Sequence, residues 1–267
     1  MVIRAEWLAA FARLLDGCGY IYGAAGWVCN QTRINDQAKQ YPAYEYLILT
    51  YGPKWIGKQC FDCAQLIKYV AGMFGIQLPS GATSQWKAGA WTIKGGITDI
   101  PDLPGVVIWR EGNGVMQHVG MTIGGGLTIE AIGHRDGVVI RELSKGKWTH
   151  YALMQGLDYT KGGAGVMFGQ VFGGTLMLRE KAAASGKVLE RIPNNGVVVI
   201  LDTAAADGWY KVQYAGKEGY AMQKYIRLME AGGSSGDTRP AVMIYCKDAD
   251  QAQLLMELLA GATVVQG

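Results

Sequence analysis

The sequence lacks long hydrophobic runs, and this absence excludes the simplest kind of membrane protein. In 267 residues, no apolar stretch reaches the roughly 18 residues of a membrane-spanning helix. Residues 1–15 do not read as a signal peptide either, because Glu6 and Arg13 interrupt the apolar part and no cleavage site follows. We therefore expect a protein without a membrane segment that is made in the cytoplasm without a signal peptide.

The chain also lacks a large excess of positive or negative charge. The 25 lysines and arginines nearly balance the 22 aspartates and glutamates, and the net charge of +3 is too small to predict nucleic-acid binding. Hydrophobic residues make up 49% of the chain and charged residues 18%, which excludes a disordered chain. The 39 glycines follow no collagen-like period and predict many turns and short strands.

Cysteine and histidine are few. The five cysteines are odd in number and too few for a disulfide scaffold. The three histidines lie far apart and no carboxylate cluster has ligand spacing, so we expect no metal and no cofactor. Cys60 and Cys63 form a C-x-x-C pair. A thiol oxidoreductase is therefore one alternative, although no thioredoxin-like βαβ pattern surrounds the pair.

Three segments follow one another along the chain. Residues 1–158 alternate a helix, a long irregular stretch, a helix and strands, and residues 166–229 read as short strands with turns. Residues 240–267 read as a short β-α-β tail of unknown role. The glycine-rich stretches 160–165 and 231–240 are the expected linkers.

The strongest chemical signal is the segment 61–75, FDCAQLIKYVAGMFG. Its apolar positions share one helix face, Cys63 stands at the helix start and Gly75 ends the helix. A thiol at a helix N-terminus feels the positive end of the helix dipole, which favours the reactive thiolate. A buried structural cysteine is the alternative for this segment alone.

A histidine follows on a predicted antiparallel meander. Strands are expected at 106–109, 118–123 and 127–132, so that His118 begins the second strand. A cysteine at a helix start and a histidine on a following strand is the layout of papain-like thiol hydrolases. The predicted fold class is therefore α+β, with the Cys63 helix packed on the antiparallel sheet.

Separate motifs carry a resemblance to a known family. DCAQLI at 62–67, GIQLP at 75–79 and HVGMTIG at 118–124 resemble, in this order, the motifs of the NlpC-type cell-wall cysteine peptidases. GYIYG at 19–23 resembles the Pro-Tyr-x-Trp-Gly segment of that family. The insertion 26–60 makes the chain most similar to the clostridial and phage branch, and the resemblance covers about residues 1–155.

The resemblance implies a catalytic set. Cys63 would be the nucleophile and His118 its base. The family's third polar residue, often histidine, comes 12 residues after the catalytic histidine, which gives Glu130 here. A hairpin centred at Gly124 would set Glu130 nearly opposite His118. His134 is the alternative third catalytic residue.

Two further residues belong to the implied site. The backbone N–H of Cys63 would supply one oxyanion donor, and the Tyr20 hydroxyl would supply another. A tyrosine of the core is the alternative for Tyr20. Asp62 would support the loop rather than react.

The second segment resembles another domain family. LREKA at 178–182, GWYKVQY at 208–214 and GKEGYA at 216–221 resemble the signatures of the bacterial SH3-like domain. This resemblance implies a small β-barrel over 166–229 that holds the enzyme on the cell wall.

Together the resemblances imply a cysteine peptidase that hydrolyses an amide bond in peptidoglycan stem peptides, usually the D-γ-glutamyl-diaminopimelate bond. An N-acetylmuramoyl-L-alanine amidase, a cross-bridge endopeptidase and a non-catalytic wall-binding protein are the alternatives. Without an export signal, a phage or prophage lysin that acts on the cell wall after release is expected, with an intracellular recycling enzyme as the alternative. The oligomeric state stays open.

Overall fold

The computed structural model describes residues 3–160 and 167–230, and every structural statement below concerns these residues. The predicted tail 240–267, the linker 231–240 and residues 161–165 of the first linker lie outside the described residues. The helices are α1 (Ala5–Arg13), α2 (Gln31–Gln40), α3 (Glu45–Tyr51), α4 (Cys63–Met73) and α5 (Ala82–Lys87).

The first helix covers one side of the domain core. Leu8 and Phe11 lie on its buried face, and the helix packs on α4 and on the central sheet. In the sequence, the apolar residues at positions 3, 7, 8, 11, 14 and 15 fit one helix face, but residues 3 and 4 form a short parallel pair with Leu157 and Asp158 instead. The helix therefore begins at Ala5, two residues later than the apolar spacing suggests.

The central sheet is antiparallel throughout, as predicted. Its strands, in spatial order, are β5 (Trp91–Gly96), β10 (His150–Met154), β6 (Val107–Gly112), β7 (Val115–Gly124), β8 (Leu127–Gly133) and β9 (Gly137–Glu142). Helix α4 packs on β7 and β8, which brings the first turn of α4 against the strands that carry the candidate histidine and carboxylate. This arrangement is the predicted α+β architecture.

The stretch predicted to be irregular before Cys63 contains two helices. Asn30 caps α2 by accepting a hydrogen bond from the N–H of Arg33 at 2.9 Å, and Ile34 and Ile48 bury the contact between α2 and α3. The prediction of irregular structure is therefore wrong for this segment. Helix α2 has few apolar residues because most of its surface faces solvent. Its helical period is therefore not visible in the apolar pattern of the sequence.

Two small pairings frame the entry to α4. Three short strands, β2 (Gly19–Tyr20), β3 (Ala25–Val28) and β4 (Gln59–Phe61), form a sheet with β4 in the middle. The short strands β1 (Ile3–Arg4) and β11 (Leu157–Asp158) pair in parallel. Since β4 runs directly into Asp62 and Cys63, its pairing with β2 places Tyr20 beside the start of α4.

The second segment is built of antiparallel strands. In spatial order they are β14 (Val188–Ile192), β13 (Leu176–Arg179), β17 (Lys217–Met222), β16 (Trp209–Tyr214), β15 (Val197–Ala206), β12 (Met167–Val171) and β18 (Ile226–Glu230). Alternate residues such as Val198, Ile200 and Val212 point into a common apolar core. The predicted strand-rich second domain is confirmed.

The two segments share part of one core. Phe168 of β12 lies in the cluster formed by α1 and α4, and its ring centroid is 6.0 Å from that of Phe11. The N–H of Gly216 also donates to the carbonyl of Met73 at 3.3 Å. A Cβ on Gly75 would meet the Cα of Gly216 at 2.9 Å, so this close approach requires glycine. Among the helices of residues 3–160 and 167–230, none has both the length and the apolar composition needed to cross a bilayer.

Candidate active site

Cys63 is the first residue of α4, and Asp62 caps that helix. The Asp62 carboxylate accepts from the N–H of Gln65 at 2.8 Å and from the N–H of Gly23 at 3.1 Å. Such a cap satisfies a free donor of the first helical turn and stabilises a helix by about 0.5–2 kcal/mol. Asp62 thus connects the start of α4, which carries Cys63, to the loop that follows Tyr20.

The Cys63 thiol is partly exposed, and its surroundings favour the neutral form. Burial and the Asp62 carboxylate raise the pKa of Cys63 to about 12, although the N–H groups of Val119 and Ala64 lower it. The helix N-terminus was predicted to favour thiolate, and this prediction is wrong for the free site, because burial outweighs the helix dipole. The thiol therefore needs a base beside it.

His118 lies on β7 and directly precedes Val119, whose N–H points to the Cys63 sulfur. Its side chain is almost fully buried, and Nε2 lies 2.6 Å from Oε2 of Glu130. Glu130 is itself completely buried. Because Nε2 is engaged by the carboxylate, Nδ1 is the ring nitrogen left to exchange a proton with a thiol.

The sequence interpretation missed Arg141, which holds Glu130 from the other side. Arg141 of β9 donates from Nε to Oε1 of Glu130 and from Nη2 to Oε2 at 3.1 Å. Burial alone would raise the pKa of Glu130, but the hydrogen bonds from His118 and Arg141 outweigh it and hold that pKa below its usual range. The hairpin from β8 to β9 was the available signal, because it pairs Arg141 with Thr128 on the face that Glu130 shares.

Trp148 is the other side chain whose contact with the site was missed. Its indole ring stacks on the imidazole of His118, with centroids 5.4 Å apart and planes 15° apart. A Cβ on Gly120 would meet this indole at 2.9 Å and the Cβ of Glu130 at 3.3 Å. Glycine at position 120 therefore leaves the room in which Trp148 and Glu130 approach His118.

The observed strand register differs from the predicted one. Met121 pairs with Ile129 and Thr122 with Thr128, so this register sets Glu130 opposite Gly120 rather than opposite His118. The turn consists of Gly125 and Gly126, both with positive φ, and a bulge on β7 between Thr122 and Gly124 precedes it. Glu130 reaches His118 along the diagonal, which long side chains can span.

Tyr20 and His134 are in contact with each other, and Tyr20 lies close enough to Cys63 to interact with it electrostatically. Burial and the proximity of Cys63 raise the pKa of Tyr20, so its hydroxyl stays protonated and able to donate at neutral pH. The ring of His134 meets the Tyr20 ring edge-on at 4.8 Å, and its Nε2 accepts from the N–H of Tyr22 at 3.3 Å. The structure thus brings Glu130 onto His118 and places His134 against the tyrosines.

Metal ligation and a Cys60–Cys63 thiol pair are the remaining chemical alternatives from the sequence. In the described ranges, no group of three or more His, Cys, Asp and Glu side chains is arranged to hold a metal ion. Cys60 is a buried free thiol on β4, whereas Cys63 begins the next helix as a second free thiol. Burial, together with the nearby thiol of Cys29, raises the pKa of Cys60.

A thiol at the start of a helix that packs on the strand of a histidine, with this histidine hydrogen-bonded to a buried carboxylate, defines the class of papain-like cysteine peptidases. The family comparison agrees with this class. Residues 51–156 match the model of the NlpC/P60 family, and residues 174–227 match that of the bacterial SH3 domain. The chain therefore carries an NlpC/P60 domain followed by a bacterial SH3 domain, and the NlpC/P60 domain is of the cysteine peptidase type.

Solved structures that match part of this chain include the NlpC/p60 domain of the peptidoglycan hydrolase SagA. It is 17% identical with a TM-score of 0.39, and the match covers 57% of this chain and 100% of that one. The P60 domain of an antigen from M. avium subspecies paratuberculosis is 21% identical with a TM-score of 0.40, covering 58% and 96%. The hydrolase RipB from Mycobacterium tuberculosis is 19% identical with a TM-score of 0.31, covering 58% and 84%. No curated protein sequence matches this chain.

Both family matches fall inside the predicted domains 1–158 and 166–229. The exact boundaries stay predictions, and so do the catalytic roles of the individual residues.

Proposed function

We propose that the protein hydrolyses an amide bond in the stem peptides of bacterial peptidoglycan, with Cys63 as nucleophile and His118 as base. The observation that carries this proposal is the contact chain at the site. The Val119 N–H points to the Cys63 sulfur, and His118 is bound through Nε2 to the buried Glu130. In this proposal, Glu130 orients His118 by binding Nε2 and leaves Nδ1 available to the thiol.

The first chemical step follows from the high pKa of the thiol. Nδ1 of His118 takes the proton of Cys63 while the sulfur attacks the substrate carbonyl carbon, so the thiolate forms only as it reacts. The resulting imidazolium gives this proton to the leaving amine as the carbon–nitrogen bond breaks. A water molecule, deprotonated by His118, then hydrolyses the thioester and restores the thiol.

Charge on the substrate oxygen needs donors that are already in place. The N–H of Cys63 at the start of α4 is one, and the protonated Tyr20 hydroxyl is the proposed second. A single preorganised donor of this kind is typically worth about 2.7–4 kcal/mol in the barrier. Asp62 contributes by holding the loop that follows Tyr20 against the helix start.

For the bond that is cut, we propose the link between D-glutamate, through its γ-carboxyl, and diaminopimelate. Support comes from the resemblance of the DCAQLI and HVGMTIG segments to the cell-wall peptidase motifs, together with the NlpC/P60 match. The SH3 domain is the proposed wall-binding module. We further propose a phage or prophage-type lysin that reaches the wall after release.

Mass spectrometry of digested peptidoglycan tests the bond. We expect fragments that end in D-glutamate and complementary fragments with a new diaminopimelate amine. Peptide-free muramic acid with a new L-alanine amine would show an amidase instead. The Cys63→Ala variant should release nothing, whereas Cys18→Ala, which removes another partly exposed thiol, should behave as wild type.

Two further arms test the biological setting. If intact sacculi are cut as readily as free stem peptides, a lysin is supported, and activity on free peptides alone would favour a recycling enzyme. If wild type and Cys63→Ala both sediment with sacculi and neither cuts them, the protein is a wall-binding module without hydrolase activity.

A further inference from the structure

Arg141 extends the His118–Glu130 pair by one more charged group. Both partners of Glu130 are its diagonal neighbours: the strand position opposite Glu130 on β9 is Val139, and Arg141 lies two residues beyond it. The carboxylate uses Oε1 for Arg141 alone and shares Oε2 between His118 and Arg141. Glu130 is thus fixed from both flanking strands.

The exposure of the three side chains differs in a way that matters. Glu130 has no exposed surface, His118 has 7% of its side chain exposed and Arg141 has 26%. Arg141 therefore lies between the buried carboxylate and solvent. A carboxylate without access to water depends on its protein partners to remain ionised.

An ionised Glu130 decides what His118 can do. An ionised carboxylate only accepts hydrogen bonds, so it places the imidazole proton on Nε2 and leaves Nδ1 free as a base. A protonated Glu130 would instead donate to Nε2 and force the proton of a neutral ring onto Nδ1. Such a ring could not take the proton of Cys63.

The positive charge of Arg141 also opposes a second cation beside the same carboxylate. It favours the state in which the His118–Glu130 pair has lost its shared proton, whichever of the two residues holds that proton. The titratable or charged groups on the elements packed against β8 include His118 on β7, Arg141 on β9, Tyr20 on β2 and Cys63 on α4. Of these, His118 and Arg141 contact the carboxylate.

We propose that Arg141 is a positioning residue that keeps Glu130 ionised, so that Glu130 binds Nε2 of His118 and leaves Nδ1 free to act as the base. This inference rests on the proposed function for its role in catalysis. It concerns a side chain that touches neither the thiol nor the proposed substrate, and it acts through Glu130.

The test is the NMR titration of the ring nitrogens in protein labelled with 15N-histidine, where three histidines give few signals. His118 is identified from a His118→Gln variant. In Arg141→Gln, we expect the titration midpoint of His118 to rise by about one pH unit or more, since a nearby charge typically shifts a pKa by 1–3 units. Arg141→Lys, which restores the charge, should bring the midpoint back towards wild type.

Activity gives a second readout. The acid limb of the pH profile of kcat/KM on soluble peptidoglycan fragments should move with the NMR midpoint, and activity should recover at higher pH. The control Arg191→Gln removes an exposed arginine from β14 and should move neither. If Arg141→Gln does not fold, as judged by circular dichroism, Arg141→Met removes the charge and keeps most of the apolar stem.

An unchanged His118 midpoint in the uncharged variant, or the same shift in Arg141→Lys as in Arg141→Gln, would overturn the inference. A loss of kcat/KM that is equal at every pH would assign Arg141 a purely structural role and overturn it as well. If wild type cuts no peptidoglycan at all, the proposed function fails. The NMR titration still decides the role of Arg141 in that case.

Discussion

Glu130 contacts His118 along the diagonal between β7 and β8, with 2.6 Å between Oε2 and Nε2. The position directly opposite Glu130 is a glycine, Gly120, and the indole of Trp148 fills the space above it. A side chain at position 120 would occupy the path between the two residues. The contact between Glu130 and His118 therefore also requires a glycine at position 120.

The first prediction concerns the third residue of the site. Glu130→Gln should keep the fold and lower kcat/KM by about 10²–10⁴-fold, because an amide neither stabilises the imidazolium nor fixes its tautomer. His134→Ala should cost less than Glu130→Gln, since His134 contacts Tyr20 and Tyr22 rather than His118. Kinetics on soluble peptidoglycan fragments, corrected for the folded fraction, measure both.

The pH profile separates an orienting role from a structural one in the same pair of variants. In Glu130→Gln, the acid limb should move because the charge beside the imidazole is gone. If His134→Ala is the more damaging change, His134 is the third residue and the proposed assignment to Glu130 is wrong.

The second prediction concerns Gly120. Gly120→Ala would place a methyl group 2.9 Å from the Trp148 ring and 3.3 Å from the Cβ of Glu130, so one of the two must shift. We expect kcat/KM to fall at least tenfold by an order-of-magnitude estimate from misplaced catalytic groups, with the fold retained. Gly72→Ala on α4, where nothing lies within 4 Å of the added Cβ, is the matched control and should leave kcat/KM unchanged.

Much of this architecture was predictable because local signals are strong there. The face of α4 is apolar at helical spacing, and Gly75 follows it with φ of +81°. The three predicted strands recur as β6, β7 and β8, since alternating apolar residues and glycine turns mark them. The catalytic candidates were also predictable, because the sequence offers only five cysteines and three histidines from which to choose.

What could not be predicted depends on register and burial. One bulge near Gly124 shifts the pairing so that Glu130 faces Gly120, and a sequence does not reveal a bulge beside three glycines. The pKa of Cys63 depends on how deeply its surroundings bury the thiol, which no local motif contains. Arg141 is found only once the strand beside Glu130 is paired.

The third prediction uses the charge of Asp62. Because this carboxylate helps to raise the pKa of Cys63, Asp62→Asn should lower that pKa while the amide still caps α4. The rate of alkylation of Cys63 by iodoacetamide at pH 8 should then rise about threefold per pKa unit, since more thiolate outweighs its weaker nucleophilicity.

Mass spectrometry of the Cys63 peptide measures this rate. The partly exposed Cys18, whose pKa burial raises to about 11, gives an internal control from the same digest and should react as in wild type. An unchanged or slower reaction of Cys63 would show that Asp62 does not set its pKa.

The fourth prediction links His134 to stability. Burial lowers the pKa of His134 to about 4, so the folded state favours its neutral form. The unfolded chain takes up the proton near its ordinary pKa of about 6.5. Stability from this group is therefore fully present above about pH 6.5 and is lost as the pH falls towards 4. Between pH 7 and pH 5, the linkage amounts to about 2 kcal/mol.

Urea unfolding at pH 7 and pH 5 measures this effect. His134→Gln should be less stable than wild type at pH 7 but should lose about 2 kcal/mol less on acidification. The comparison of the two differences removes the contribution of groups common to both proteins. Equal losses in wild type and variant would contradict the assignment of a buried, neutral His134.

The last prediction concerns the coupling of the SH3 domain to the peptidase domain. Phe168 of β12 is fully buried in the cluster that contains Phe11, Phe74 and Val199, so its ring belongs to a core shared by both domains. Phe168→Ala should cost about 3–5 kcal/mol, the usual range for truncating a buried phenylalanine. Because the core is shared, the loss should appear in both domains.

Hydrogen exchange of amides in β7 and in β16 measures the stability of the two domains separately, and both sets of amides should lose protection together. Phe172→Ala, four residues away and with 40% of its residue surface exposed, should change stability by less than about 0.5 kcal/mol. If β16 alone loses protection in Phe168→Ala, the domains unfold independently and the shared core does not couple them.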